Sequence, residues 1–243
     1  MALSFSISRN QGIRQFLGSL ADSGAYVFEN LGKDLVEAVR KLRKEAPGCV
    51  QNNIESLNLD LDDGSKRFTM ARNNTQLPFA CGGKSVEIVQ KHFDKVDEII
   101  RAKLVDKYNS LLDIYDDTSL KLITKLKGLP TKSHLHVYKK SSKSPVSHGL
   151  TSLPFHTDNG LYLLLTPSHH APIKIRYRNN TVADLVAKDD SVIFMAGTGL
   201  TSWLLPDSGS TEIGMKFVLN NQFFISKTCC SSSRCSQYKQ EQH

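Results

Sequence analysis

His156 and Asp158 are the residues of this chain whose types and spacing best suit metal chemistry. His156 lies in a β-rich segment, residues 153–157, and Asp158 follows that segment directly, before the turn-forming pair Asn159-Gly160. Residues two apart on a strand point to the same face. An imidazole and a carboxylate presented together supply two of the three protein ligands of a non-haem Fe(II) site. The alternative is a hydrogen-bonded pair at a strand end, with Asp158 supporting the turn.

A second His-x-Asp pair, His92 and Asp94, provides an internal control. It lies within a helical hydrophobic stripe, where residues two apart point away from each other. This pair is therefore not expected to chelate a metal, although its residue types are the same. The strand environment of His156 and Asp158, and not the motif alone, makes them a candidate site.

Hydrophobic spacing divides the elements around this pair into a helical first half and a strand-rich second half. Apolar residues at three- and four-residue steps predict helices over residues 12–46 and 85–127, with Pro47-Gly48 ending the first helix. One strand is predicted between them, at residues 67–71. The second half predicts closely spaced strands over residues 134–139, 153–157, 161–166, 173–177, 182–186, 191–195, 202–205 and 216–225. Such strands indicate a sandwich or a jelly-roll barrel.

The order of these strand motifs resembles a known family. A strand carrying Tyr138 precedes His156-Thr157-Asp158 and the Leu-rich strand at residues 161–165, and an acidic-then-apolar segment follows at residues 188–197. This order, over roughly residues 133–205, resembles the isopenicillin N synthase-like group of Fe(II)/2-oxoglutarate-dependent dioxygenases. The resemblance implies an oxidoreductase that uses Fe(II) with 2-oxoglutarate as co-substrate.

The resemblance also implies an α+β fold in three segments. Residues 1–128 would form a mainly helical leader, residues 129–225 a double-stranded β-helix or jelly-roll core, and residues 226–243 a disordered tail. His156 and Asp158 would be the iron ligands, and Tyr138 would help to hold the co-substrate carboxylate. Lys174, Arg176 or Arg178 is expected to pair with a carboxylate, and Arg176 is preferred because a guanidinium suits bidentate recognition of a carboxylate.

The chain departs from the family pattern downstream of the core motif. The family has a second His there, followed by an Arg and a Ser that bind 2-oxoglutarate. In this chain, residues 204–222 contain no His, and no Arg lies between residue 204 and Arg234. Three explanations remain open. A further histidine substitutes, the site is degenerate, or the chain is a variant of a longer protein with a replaced carboxyl end. The candidate substitutes are His134, His136, His148 and His170. We expect the replaced end, and so an incomplete core.

Composition limits the partners of the chain. The net charge of +7 and the pI of 9.1 come from dispersed basic residues, and not from a basic stripe interleaved with aromatics, so nucleic acid is not expected as a partner. No apolar run reaches the ~20 residues of a membrane span, and no signal peptide is evident. We expect a cytoplasmic location, no membrane contact and a small-molecule substrate. Five unevenly spaced cysteines predict reduced thiols.

Two functional hypotheses follow. The first is an Fe(II)/2-oxoglutarate-dependent dioxygenase-like oxidoreductase of undetermined prime substrate, inactive if the distal His is absent. The second is a non-catalytic β-barrel module that binds a ligand or a partner and has lost the metal. The oligomeric state is left open by the sequence.

Overall fold

The computed structural model describes residues 23–61, 64–73, 80–112, 129–139, 153–167, 173–177, 180–200, 212–215 and 222–229. They contain helices α1 (Lys33–Asn52) and α2 (Gly83–Leu112) and strands β1 (Ala25–Phe28), β2 (Leu57–Asp60), β3 (Lys66–Asn73), β4 (Thr131–Lys139), β5 (Leu153–His156), β6 (Tyr162–Leu165), β7 (Ile173–Arg176), β8 (Val182–Leu185), β9 (Val192–Ala196), β10 (Glu212–Met215) and β11 (Gln222–Cys229). In this part of the chain, neither helix combines the length and apolar character that crossing a membrane requires.

The strands form two antiparallel sheets. The larger sheet has the order β1-β9-β6-β11-β4-β3-β2, and the smaller has the order β5-β10-β7-β8. Strands β4 to β11 supply four strands to each sheet, so the chain crosses repeatedly between the two, as in a double-stranded β-helix. The predicted jelly-roll is confirmed. The expectation of an incomplete core is not confirmed, because both four-stranded halves are present.

The larger sheet separates two hydrophobic clusters. On the outer side it packs against α1 and α2 through Phe28, Leu135, Val137, Leu164 and Phe194. On the inner side, facing the smaller sheet, the cluster contains Ala25, Val27, Tyr138, Leu165, Ile173, Ile175, Ile193 and Met195. Since successive residues of a strand face opposite sides, the central strands of this sheet contribute to both environments. This alternation defines which side chains line the barrel interior.

The amino-terminal half is less helical than predicted. Strands β1, β2 and β3 belong to the larger sheet, so the expected helical leader shares a sheet with the core. The first helix begins at Lys33, because residues 25–28 pair with β9, and residues 12–22 lie outside the described parts. Pro47 does not end this helix, which continues to Asn52. Burial of Pro47 and its neighbours against the core outweighs the unfavourable helix propensity of proline, about 3 kcal/mol.

The carboxyl-terminal strands also differ from the prediction. Strand β10 was not foreseen, and β11 ends at Cys229, so the expected tail beginning at residue 226 starts inside a strand. Residues Ser226 to Cys229 show little hydrophobic alternation, so the sequence did not predict a strand there. They form one because β11 pairs with β4 on one side and with β6 on the other. The predicted strand at residues 202–205 lies outside the described residues.

A buried ionic network fixes α2 on the outer side of the larger sheet. Asp97 of α2 accepts hydrogen bonds from Arg101 Nε (3.0 Å), Lys227 Nζ of β11 (3.3 Å) and the Tyr162 hydroxyl of β6. Lys227 also donates to Asp94 Oδ1 at 2.7 Å, although its own side chain is only 3% exposed. A buried ammonium requires such compensation, because burying an unpaired charge is very costly.

The cysteines differ from the predicted reduced thiols. Cys49, near the end of α1, forms a disulfide with Cys81, just before α2. Disulfides are rare in the reducing cytoplasm, so this bond runs against the expected location. Cys229 is a buried free cysteine whose sulfur accepts a hydrogen bond from Arg101 at 3.3 Å. Burial raises the pKa of its thiol to about 11, which keeps it protonated and poorly reactive at neutral pH.

We expect Cys49→Ser to lower the free energy of unfolding by about 3 to 4 kcal/mol, because the bond closes a 32-residue separation in the unfolded chain. Chemical denaturation of the oxidised wild type and the variant would measure this. Addition of a reductant should destabilise the wild type only. Equal sensitivity of the two proteins to the reductant would show that the disulfide does not form.

We expect Asp97→Ala to destabilise the protein by about 3 to 5 kcal/mol, since it leaves buried cations without one of their acceptors. Lys66→Ala is the matched control, because it breaks an exposed ion pair with Asp60 and should cost about 0 to 1 kcal/mol. Urea denaturation would compare them. A loss for Asp97→Ala no larger than that of the control would contradict a stabilising network.

Candidate functional site

His156 and Asp158 lie together at the end of β5. The distance from His156 Nε2 to Asp158 Oδ1 is 3.8 Å, and their side chains are 40% and 35% exposed. A metal ion about 2.0 to 2.2 Å from each ligand atom fits between atoms at this separation. Burial raises the pKa of Asp158, while electrostatic interactions with His156 and Arg67 oppose that rise. The pair therefore has the spacing for one metal ion and remains partly open to solvent.

The control pair on α2 behaves as the helical geometry predicts. His92 Nε2 lies 3.0 Å from Asp34 Oδ2 at the start of α1, whereas Asp94 accepts a hydrogen bond from Lys227 of β11. The two side chains therefore have separate partners in different parts of the fold. Of these two pairs, only the strand copy brings its imidazole and carboxylate together.

No third metal ligand accompanies His156 and Asp158 in the part of the chain that the structure describes, where no group of three or more His, Cys, Asp or Glu is arranged to hold a metal. The strand that pairs with β5 is β10, and the residue in register with His156 is Ile213. Strand β10 carries no histidine in its sequence. Two residues thus fit a metal ion, and the ligand set is short of the three that such iron sites usually have.

His134 and His136 do not complete the set. Both lie on β4 at positions that alternate with Leu135 and Val137, which pack toward the helices, so the imidazoles face the barrel interior. Their rings stack with centroids 5.4 Å apart, and His136 Nδ1 lies 3.0 Å from Thr69 Oγ1. His148 and His170 lie outside the described residues.

Both interior histidines are neutral at physiological pH. Burial lowers the pKa of His134 to about 4, with further lowering by the charges of Lys132 and Arg67. Burial also lowers the pKa of His136 well below its usual value, assisted by His134 and Arg67. Neutral imidazoles add hydrogen-bonding groups to the interior without adding positive charge.

Arg67 is the site residue that the sequence did not reveal. It lies on β3 in register with Tyr138 of β4, and its guanidinium is close enough for its charge to act on the phenol. Its Nε atom is buried and has no hydrogen-bond partner. Burial raises the pKa of Tyr138, so the phenol stays protonated. The available signal was the alternation of Arg67 with Phe68 and Met70, which indicated an inward polar position on the predicted strand.

Arg176 is not brought together with Tyr138. On β7, Ile173 and Ile175 belong to the inner cluster, so Arg176 lies on the outer side of the smaller sheet. There its guanidinium stacks 4.1 Å from the centre of the Phe155 ring. The structure therefore separates the two residues that the sequence grouped as co-substrate contacts.

Comparison with solved structures identifies the fold class. AtDAO1, a dioxygenase for auxin oxidation from Arabidopsis thaliana, matches with a TM-score of 0.71 and 12% identity over 95% of this chain and 92% of that one. A full-length protein from Neurospora crassa, solved in complex with alpha-KG, matches with a TM-score of 0.62 and 14% identity over 94% and 84%. JOX2 matches with a TM-score of 0.67 and 12% identity over 96% and 77%. No family model matches the chain, and no curated protein matches its sequence.

These likenesses confirm at the level of the fold the resemblance found in the sequence. The chain has the fold of Fe(II)/2-oxoglutarate-dependent dioxygenases. AtDAO1 was solved with 2-oxoglutarate, and JOX2 with 2OG, Fe and JA. At 12 to 14% identity the likeness concerns the fold.

We expect Ile213→His to raise the affinity for Mn(II) by about 10- to 100-fold, because residues in register on antiparallel strands face the same side and a third ligand adds affinity. Glu212→His is the matched control, since it places the imidazole on the opposite face of β10. Anaerobic titration followed by electron paramagnetic resonance would measure both. Equal affinities for the two variants would contradict the proposed metal position.

Proposed function

We propose that this protein is an Fe(II)/2-oxoglutarate-dependent dioxygenase-like oxidoreductase acting on a small molecule, with His156 and Asp158 as its protein metal ligands. The observation that carries the proposal is the 3.8 Å separation of the two ligand atoms at the end of a core strand. The fold shared with the three solved neighbours supports it. The iron and co-substrate in those neighbours motivate the choice of Fe(II) and 2-oxoglutarate.

With Fe(II) bound, the site would have the means to oxidise a C–H bond with O₂ while 2-oxoglutarate is oxidatively decarboxylated to succinate and CO₂. The residues of this chain provide position and environment for that chemistry. His156 and Asp158 would hold one side of the ion, and Tyr138 faces the barrel interior with its protonated phenol. The inner apolar cluster excludes water from the depth of the barrel, which strengthens the electrostatic interactions of the polar groups beside it.

One observation favours a second candidate. Ile213 occupies the position in register with His156, so β10 contributes no imidazole opposite the pair. A ligand set of two residues holds a metal weakly, and the same barrel would then serve as a non-catalytic binding module for a small molecule or a partner. The two candidates differ in whether the wild-type chain retains a metal.

Metal binding tests the proposal directly. Under anaerobic conditions we expect wild-type protein to bind one equivalent of Mn(II) or Fe(II), and His156→Ala or Asp158→Ala to weaken binding at least tenfold through loss of a ligand. His92→Ala is the matched control, because it removes the imidazole of the helical pair. Absence of metal in the wild type, or equal binding by all variants, would overturn the oxygenase candidate.

Turnover is the second measurement. Wild-type protein loaded with Fe(II) should convert 2-oxoglutarate to succinate even without a prime substrate, at a rate that falls to background in His156→Ala. Metal binding without succinate would favour the non-catalytic module.

A further inference from the structure

We infer that Arg67 and Tyr138 form a carboxylate anchor for a dicarboxylic 2-oxo acid, supplied in part by a strand outside the eight-stranded core. Arg67 belongs to β3, which extends the larger sheet beyond β4. The identity of the ligand rests on the proposed function. The presence of an anion site rests on the surroundings of Arg67 alone.

The first argument is the unsatisfied state of the guanidinium. None of the ion pairs among the described residues includes Arg67, and its Nε atom is buried without a hydrogen-bond partner. A buried donor without an acceptor is costly, and more so when the group is charged. An anionic ligand would supply the acceptor that this guanidinium lacks among the described residues.

The second argument is the charge of the neighbouring residues. His134 and His136 are neutral, so they neither repel an incoming cation nor neutralise an anion. Asp158 is close enough for its charge to interact with Arg67, yet the two do not form an ion pair. A metal ion on Asp158 would compensate that carboxylate and leave the positive charge of Arg67 for a ligand.

The third argument is the geometry of β3 and β4. Arg67 and Tyr138 are in register, and Tyr138 packs in the inner cluster. The two donors therefore project from adjacent strands into the barrel interior, where the charge of Asp158 acts on Tyr138 and the charge of Arg67 acts on Asp158. A dicarboxylic 2-oxo acid matches this arrangement. Its oxo-acid end would bind a metal held by His156 and Asp158, and its other carboxylate would bind Arg67.

The arrangement differs from the one that the sequence led us to expect. The resemblance places the arginine after the second histidine, near the last core strand, and β11 contains no arginine in this chain. Arg176, the substitute chosen from the sequence, lies on the outer side of the smaller sheet. Arg67 thus supplies from β3 a positive charge to the barrel interior, which neither β11 nor the outward-facing Arg176 provides.

Calorimetric titration in excess chelator tests the anchor without a metal. The ligands are 2-oxoglutarate and 2-oxopentanoate, which has the same carbon chain without the distal carboxylate. Wild-type protein should bind 2-oxoglutarate more tightly, and Arg67→Gln should weaken 2-oxoglutarate binding by about 10- to 100-fold with little effect on 2-oxopentanoate. Tyr138→Phe should give a smaller loss.

Arg72→Gln is the matched control. It removes the same charge from the same strand, but Arg72 pairs with Glu55 and lies on the other face. Its affinity for 2-oxoglutarate should equal that of the wild type. Thermal unfolding provides a second readout. Arg67→Gln should unfold at the wild-type temperature or above it, because it removes an unsatisfied buried donor, whereas a merely structural arginine would lower that temperature.

The outcomes separate this inference from the proposed function. Mn(II) binding with no effect of Arg67→Gln on 2-oxoglutarate would overturn the anchor and leave the metal site standing. Arg67-dependent binding of 2-oxoglutarate by a protein that fails to bind Mn(II) in the separate metal titration would support the anchor and overturn the oxygenase candidate. If Arg67→Gln does not fold, Arg67→Lys replaces it, and wild-type affinity in that variant for both ligands would overturn the requirement for a guanidinium.

Discussion

The two-sided burial of the larger sheet is the constraint on which the rest of the structure depends. Each of its central strands packs against the helices on one side and faces the barrel interior on the other. A shift of one residue in strand pairing would therefore turn the helix-facing side chains inward and the interior side chains outward. On β4, the apolar residues Leu135 and Val137 face the helices. This orientation sends His134, His136 and Tyr138 inward. A row of polar side chains in the barrel follows from the packing of apolar ones outside it.

The position of α2 adds a second, more specific constraint. Hydrophobic contact alone permits a helix to slide on a sheet. The two carboxylates of α2 that accept hydrogen bonds from Lys227, those of Asp94 and Asp97, must instead lie at defined positions above β11. Buried ion pairs contribute little net stability compared with apolar contacts, but a misplaced partner is costly. We interpret the network as selecting one position of the helix on β6 and β11. That position also determines which face of β11 remains for the interior.

Function in this fold depends on a few interior positions that the packing leaves polar. The barrel supplies the scaffold, and the same scaffold serves unrelated activities elsewhere. In this chain, the barrel interior contains the His156 and Asp158 pair and the Arg67 and Tyr138 pair. Ile213 is in register with His156 on the neighbouring strand. The site thus has two residues suited to bind a metal and, at Ile213, a residue that cannot bind one. Its chemistry depends on how strongly His156 and Asp158 alone hold an ion.

The sequence by itself determined what depends on neighbours along the chain. The extended segment that begins at residue 153 predicted that His156 and Asp158, two residues apart, lie on one face. Helical spacing excluded His92 and Asp94 as a metal-binding pair. Only the tertiary structure decided that Arg67 meets Tyr138, that Arg176 faces outward and that Cys49 reaches Cys81. The spacing of side chains within one element follows from its own backbone repeat. Contacts between distant segments depend on which strands pair and which faces are buried, and a local pattern does not encode that choice.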